Sequence, residues 1–174
     1  MKYNISEEKT KVPFKVSNKD GENSPEYFIN KIENGFETYI SVNEVGNYSL
    51  AFYLNNSYIG DIYFKCDKWH NERLVFPKMY DSYINSDAKL IRPIQSELQK
   101  GKYYTFEIKT NDFQELYIDI LKEKATNRIR IKMKKHGDTF IAENVFIYKN
   151  YNNIYIICIN NNKEEDLLNF SIEF

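Results

Sequence analysis

Short runs in which apolar and polar residues alternate dominate the chain. The clearest is Tyr104-Thr105-Phe106-Glu107-Ile108-Lys109, with Tyr, Phe and Ile on one side and Thr, Glu and Lys on the other. A period of two places successive side chains on opposite faces, which is what a half-buried strand requires. Comparable runs cover 12–16, 27–32, 38–42, 48–54 and 59–65, and then 116–121, 128–133, 139–148, 154–159 and 167–174. β-Branched and aromatic residues fill them, as pleated surfaces prefer. Turn formers separate them: Asn34-Gly35, Gly46-Asn47, Asn55-Asn56-Ser57, His136-Gly137-Asp138 and Asn150 to Asn153. Residues 115–126 hold the best helical pattern, yet Tyr117, Ile118, Ile120 and Leu121 serve a strand equally well.

Many strands at roughly ten-residue spacing predict an all-β fold of sandwich type. A weak internal repeat refines this. Asn34-Gly35-Phe36-Glu37-Thr38-Tyr39 is followed by 48–54 and 62–65, and His136-Gly137-Asp138-Thr139-Phe140-Ile141 is followed by 154–159 and 170–174. The offset of about a hundred residues is the length of one Ig-like domain. The expected architecture is two tandem Ig-like antiparallel β-sandwiches, over 1–72 and 89–174, with a linker at 73–88. The first is short enough to be incomplete. Its expected core is Phe14, Val16, Phe28, Tyr39, Leu50, Phe52 and Ile62. The second should bury Leu90, Phe106, Ile108, Ile118, Ile129, Phe140, Ile156, Cys158 and Phe170.

From residue 76 onward the text resembles a known family. Phe76-Pro77 and Tyr80, Leu90 and Pro93, then Leu98, Gly101, Tyr104, Phe106 and Ile108, and finally Gly137-Asp138-Thr139-Phe140 follow its pattern. These phrases are similar to the non-catalytic β-sandwich domains beside transglutaminase-like domains of the kyphoscoliosis-peptidase type in bacterial proteins. The resemblance covers about the last hundred residues, and 46–50 (GNYSL) echoes it in the first half. It implies an accessory Ig-like module without catalytic residues of its own.

Charge and composition narrow the chemistry. Lys and Arg number 24 against 25 Asp and Glu, so the balance provides no field to recruit nucleic acid or an anionic membrane. Arg128, Arg130, Lys132, Lys134 and Lys135 form a basic alternating edge, which reads as a strand protected against edge pairing. No apolar run is long enough for a membrane-spanning helix. The opening MKYNISEEKTKVPF lacks the apolar core of a signal peptide, so the expected address is cytoplasmic, or extracellular if the chain is a piece of an exported protein. Two cysteines cannot staple a small domain. No cofactor or metal is expected. The six glycines are dispersed rather than gathered into a phosphate loop, and Glu164-Glu165-Asp166, whose consecutive side chains point in different directions, read as a solvated turn between strands.

Two candidate sites remain. Cys66 lies four residues before His70, the one spacing that mimics a thiol hydrolase. Cys158, inside Ile156-Ile157-Cys158-Ile159, reads as a small hydrophobe. Aromatics make up 16% of the chain, and Trp69, Tyr80, Tyr83, Tyr148 and Tyr151 stand in linker or turn contexts, where exposed rings could stack on a sugar. The expected function is a non-enzymatic binding, adhesion or spacer module with a protein or glycan partner. Its strand edges leave self-association open.

Overall fold

The computed structural model describes residues 14–18, 25–33, 35–42, 44–54, 57–68, 75–122, 128–160 and 163–172. Among them the protein is all-β, built of several antiparallel sheets, none of which closes on itself. Strands β1 (Phe14–Asn18), β4 (Gly46–Leu54) and β5 (Ser57–Cys66) form one sheet in the order β1-β4-β5. Strands β2 (Glu26–Ile32) and β3 (Gly35–Ser41) form a hairpin. Beyond residue 75, a five-stranded sheet has the order β10-β9-β13-β14-β6. Its strands are β6 (Lys78–Met79), β9 (Leu116–Lys122), β10 (Arg128–Lys132), β13 (Tyr151–Asn160) and β14 (Lys163–Ser171). A four-stranded sheet has the order β11-β12-β8-β7, from β7 (Lys89–Arg92), β8 (Tyr103–Lys109), β11 (Lys134–His136) and β12 (Thr139–Phe146). The single helical turn, α1, spans Asp81–Ile84.

Alternation explains which residues meet. In the five-stranded sheet Ile118, Ile156 and Leu168 lie abreast, as do Ile120, Ile154 and Phe170. Leu90, Phe106, Ile108 and Phe140 of the four-stranded sheet face them, and Phe106 meets Phe170 edge-on at 5.3 Å between ring centres. Every residue expected in this core is buried, apart from Ile129, which packs against it half-buried. Residues 116–122 are strand rather than helix, because Ile118 and Ile120 find apolar partners on both neighbouring strands.

The core also takes residues from outside its two sheets. Phe76, Tyr83 and Ala88, from the stretch read as a linker, are buried in it. So is Phe28, whose ring lies 5.7 Å from Tyr83 and 6.3 Å from Phe76. The β2–β3 hairpin is therefore buried on both faces. Phe28, Asn30 and Tyr39 turn toward Phe76, Tyr83 and Leu90. Tyr27, Ile29, Phe36 and Ile40 pack instead with Leu50 and Phe52 of β4.

Asn30 secures this junction. Its amide NH2 donates to the Leu90 carbonyl at 3.1 Å, and its Oδ1 accepts from the Leu90 N–H at 3.0 Å and the Tyr83 hydroxyl at 2.6 Å. One side chain thus pairs with both backbone groups of a β7 residue, as a neighbouring strand would.

Ile62 departs from expectation. It is 55% exposed, although its cross-strand partner Leu50 is half-buried. Among the described residues a two-stranded hairpin lies opposite the three-stranded sheet and packs on Leu50 and Phe52 of the central strand, while Ile62 stands on β5 at the sheet's edge. The side chains of Phe14 and Val16 lie outside the described residues. Their backbones pair with Phe52 and Leu50.

Candidate functional site

An aromatic ladder stands at one end of the four-stranded sheet. In β8, Tyr104, Phe106 and Ile108 point inward, which sends Tyr103 outward. In β12, Phe140 and Ala142 point inward, and a bulge then shifts the phase so that Val145 is the next inward residue. Asn144 sits in that bulge with φ 56°, a left-handed conformation that Asn tolerates better than most residues. Without the extra residue Phe146 would face the core. With it, Phe146 faces out, directly opposite Tyr103.

The ladder continues along the chain. Ile147 is buried, Tyr148 turns out again, and the Tyr151 N–H donates to the Tyr148 carbonyl at 3.1 Å to close the turn into β13. Successive ring centres lie 4.7 Å apart for Tyr103–Phe146, 4.6 Å for Phe146–Tyr148 and 5.3 Å for Tyr148–Tyr151. Tyr103 is 67% exposed and Tyr148 53%. Tyr151 is buried, and burial, aided by neighbouring Tyr148, raises its hydroxyl pKa. Backbone bonds from Gly101 N–H to Ile147 O and from Ile147 N–H to Lys102 O hold the two strand ends together. Exposed Lys102 and Lys149 adjoin the ladder in sequence. Interplanar angles of 49°, 81° and 72° make the surface ridged, not flat.

The five ring candidates separate. Tyr148 and Tyr151 come together in this ladder. Tyr83 does not stand at the surface: α1 turns it inward, where its hydroxyl joins Asn30 and Leu90 and burial raises its pKa. Tyr80 is half-buried against β14, its N–H donating to the Leu167 carbonyl at 3.0 Å and its ring 5.0 Å from the Lys78 ammonium. It lines a separate open cleft of about 490 Å³ with Ser82, Glu164 and Glu165. Trp69 lies outside the described residues. Tyr103 and Phe146 join the ladder without having been among the ring candidates. The outward direction of Tyr103 follows from the alternation that turns Tyr104 inward, whereas that of Phe146 depends on the bulge.

The remaining candidates are engaged or undescribed. His70 lies outside the described residues, and the half-buried Cys66 thiol contacts the Lys68 carbonyl at 3.3 Å. Cys158 is buried, which pushes its thiol up to about 11. Arg128, Arg130 and Lys132 of the basic edge are paired with carboxylates, and Lys135 donates to the Phe113 carbonyl at 3.2 Å. Arg130 forms a two-pronged bond to buried Asp119, both at 2.8 Å, and reaches Glu164 at 2.6 Å, while Arg128 bridges the same two carboxylates. Lys132 pairs with Glu115. The arginines hold Glu164 down to about 2. Glu165 accepts a bond from Ser82 at 2.8 Å. Among the described residues no three His, Cys, Asp or Glu side chains are grouped to hold a metal ion, and no helix is long and apolar enough to cross a membrane. No protein-family model matches the chain, and no curated protein matches it.

Proposed function

We propose that the protein is a non-catalytic binding module of two tandem Ig-like sandwiches, with the Tyr103–Phe146–Tyr148 face of the ladder, backed by buried Tyr151, as its ligand surface. Strand order supports the Ig-like reading. The sequences β7-β8-β12-β11 and β10-β9-β13-β14 follow the A-B-E-D and C′-C-F-G orders of that fold. The sheet β1-β4-β5 with hairpin β2–β3 follows C-F-G with D-E. At the start of β4 the buried Tyr48 donates its hydroxyl back to the Glu44 carbonyl at 2.7 Å, as the tyrosine at the corner before strand F does. An accessory place beside a transglutaminase-like domain belongs to the same proposal. It rests on the sequence resemblance carried by Phe76, Leu90, Leu98, Phe106 and Ile108, which are buried, and by Gly101 and Gly137, which stand at turns.

The observation that carries the binding role is the exposure of Tyr103 and Tyr148, one on each side of Phe146, on a braced surface. Burying such rings on a partner releases apolar area at little entropic cost, because each has only two side-chain torsions. The ridged arrangement favours a protein or peptide partner, whose side chains can enter between tilted rings. A sugar chain stacks best on coplanar rings. Selection of displayed peptides against the intact chain tests this. Selected binders should lose about 2–4 kcal/mol of affinity to the Tyr103→Ala/Tyr148→Ala variant. Binders that hold the variant as tightly as the wild type would overturn the assignment, and so would wild-type binding on a glycan array without any peptide binder.

A further inference from the structure

A second surface, remote in sequence from the ladder, carries an inference of its own. Strand β5 is the outermost strand of its sheet, order β1-β4-β5 among the described residues. Natural edge strands are commonly defended by charges, proline or brevity. β5 is ten residues long without proline; beyond a bulge at Ile59 it runs in regular register from Gly60 to Cys66, and it carries Tyr58, Ile59, Ile62 and Tyr63, each more than half exposed. Ile62 and Phe64 occupy the face shared with Leu50 and Tyr48, where Phe64 stacks on buried Tyr48 at 5.3 Å. Tyr63 and the charged pair Asp61 and Lys65 occupy the other face.

We propose that β5 is the contact strand of a symmetric dimer, two copies of this chain pairing antiparallel about a two-fold axis through Tyr63. Charge complementarity selects both the occupant and the register. With Tyr63 opposite itself, Asp61 faces Lys65 of the partner subunit, and by symmetry Lys65 faces Asp61 of the partner subunit. Ile62 then faces Phe64 of the partner subunit, twice over. Opposite charges and apolar pairs directly across an antiparallel ladder are mutually stabilising. An isologous contact needs this self-matching, and two-fold dimers are the commonest closed assemblies. Main-chain bonds along β5 join the two three-stranded sheets into one of six strands, whose apolar stripe runs unbroken through Ile62 and Phe64 of both copies. Within one chain Asp61 accepts the hydroxyls of Tyr58 at 2.6 Å and Tyr63 at 2.9 Å, which fixes the carboxylate beside the contact strand. Lys65 lies 2.6 Å from the exposed Asp67, a surface pair that a new partner can share.

Sedimentation velocity of the intact chain over a range of concentrations tests the proposal. The wild type should show a concentration-dependent species of twice the chain mass. Asp61→Lys sets lysine against lysine at two symmetry-related places and should weaken dimerisation about tenfold or more. The double exchange Asp61→Lys/Lys65→Asp restores complementarity in this register and should recover most of the loss. Circular dichroism checks that each variant is folded. If Asp61→Lys fails to fold, Ile62→Lys at an exposed position puts a charge into the apolar stripe and should give the single-chain mass. A wild type that keeps the single-chain mass at every concentration overturns the proposal. So does a folded Asp61→Lys or Ile62→Lys that dimerises like the wild type, or a double exchange as weak as Asp61→Lys alone.

Discussion

Asn30 offers the sharpest test of how the chain is held together. Replacing it with alanine removes the acceptor of the Tyr83 hydroxyl and the donor to the Leu90 carbonyl, both in buried surroundings. The Leu90 N–H keeps one partner, since it also donates to the Tyr83 oxygen at 2.9 Å. The Tyr83 O–H thus loses its acceptor and the Leu90 carbonyl loses the amide donor, at about 1–3 kcal/mol each. The expected loss is about 3 kcal/mol, a large part of a typical native stability of about 5–15 kcal/mol. For a chain of this length that corresponds to a fall in Tm of about 6–12 °C. Asn30→Asp separates hydrogen bonding from packing. It retains the acceptor for Tyr83 but loses the donor to Leu90, and it sets a buried carboxylate beside Glu37, whose Oε2 lies 3.2 Å from the Asn30 amide. Burial and the neighbouring charge raise the pKa of that carboxylic acid in the folded state. The variant should therefore gain stability relative to wild type as the pH is lowered and the acid becomes neutral. Thermal and urea unfolding followed by circular dichroism read both effects. A Tm for Asn30→Ala within about 1 °C of wild type would refute the claim that this amide joins hairpin β2–β3 to β7.

Other outcomes follow from the same geometry. Asn144→Val should cost about 1–2 kcal/mol in urea unfolding, because a β-branched residue resists the left-handed backbone of the β12 bulge, while Asn144→Gly should be nearly neutral. Burial alone would raise the pKa of Asp87, but bonds from the Thr110 hydroxyl and from the Asn111 and Asp112 N–H groups prevail and lower it. Its contribution is therefore present above its unfolded value of about 4 and is lost as the pH falls through the lower folded value, so Asp87→Ala should flatten the acid limb of the stability curve. The Cys158 thiol, buried and pushed up to about 11, should resist alkylation at neutral pH until the chain unfolds; rapid labelling of native protein at this residue, read by mass spectrometry of its peptide, would contradict the burial. Tyr103→Ala and Tyr148→Ala remove ring contacts and should each cost about 0.5–2 kcal/mol, well short of a typical native stability of about 5–15 kcal/mol, so circular dichroism separates ligand loss from unfolding.

Period-two alternation is local, and so the all-β class, most strand positions and a central part of the core of residues 89–172 could be read from the chain, while buried residues such as Leu98 and Phe113, which lie outside the alternating runs, could not. Ile118, Phe106 and Phe170 declare their inward direction through their immediate neighbours. Of the candidate site, Tyr148 and Tyr151 could be named, since rings beside a turn are recognisable without knowing what the turn contacts. Tertiary structure alone decided the rest. Alternation loses its phase at a bulge, so the outward turn of Phe146 had to await the pairing of β12 with β8. Tyr83 looked exposed because its polar setting is sequential, whereas the groups that bury it, Asn30 and Phe28, lie more than fifty residues away. Ile62 looked buried because alternation specifies which side a residue faces, and only the stacking of sheets specifies whether anything lies there.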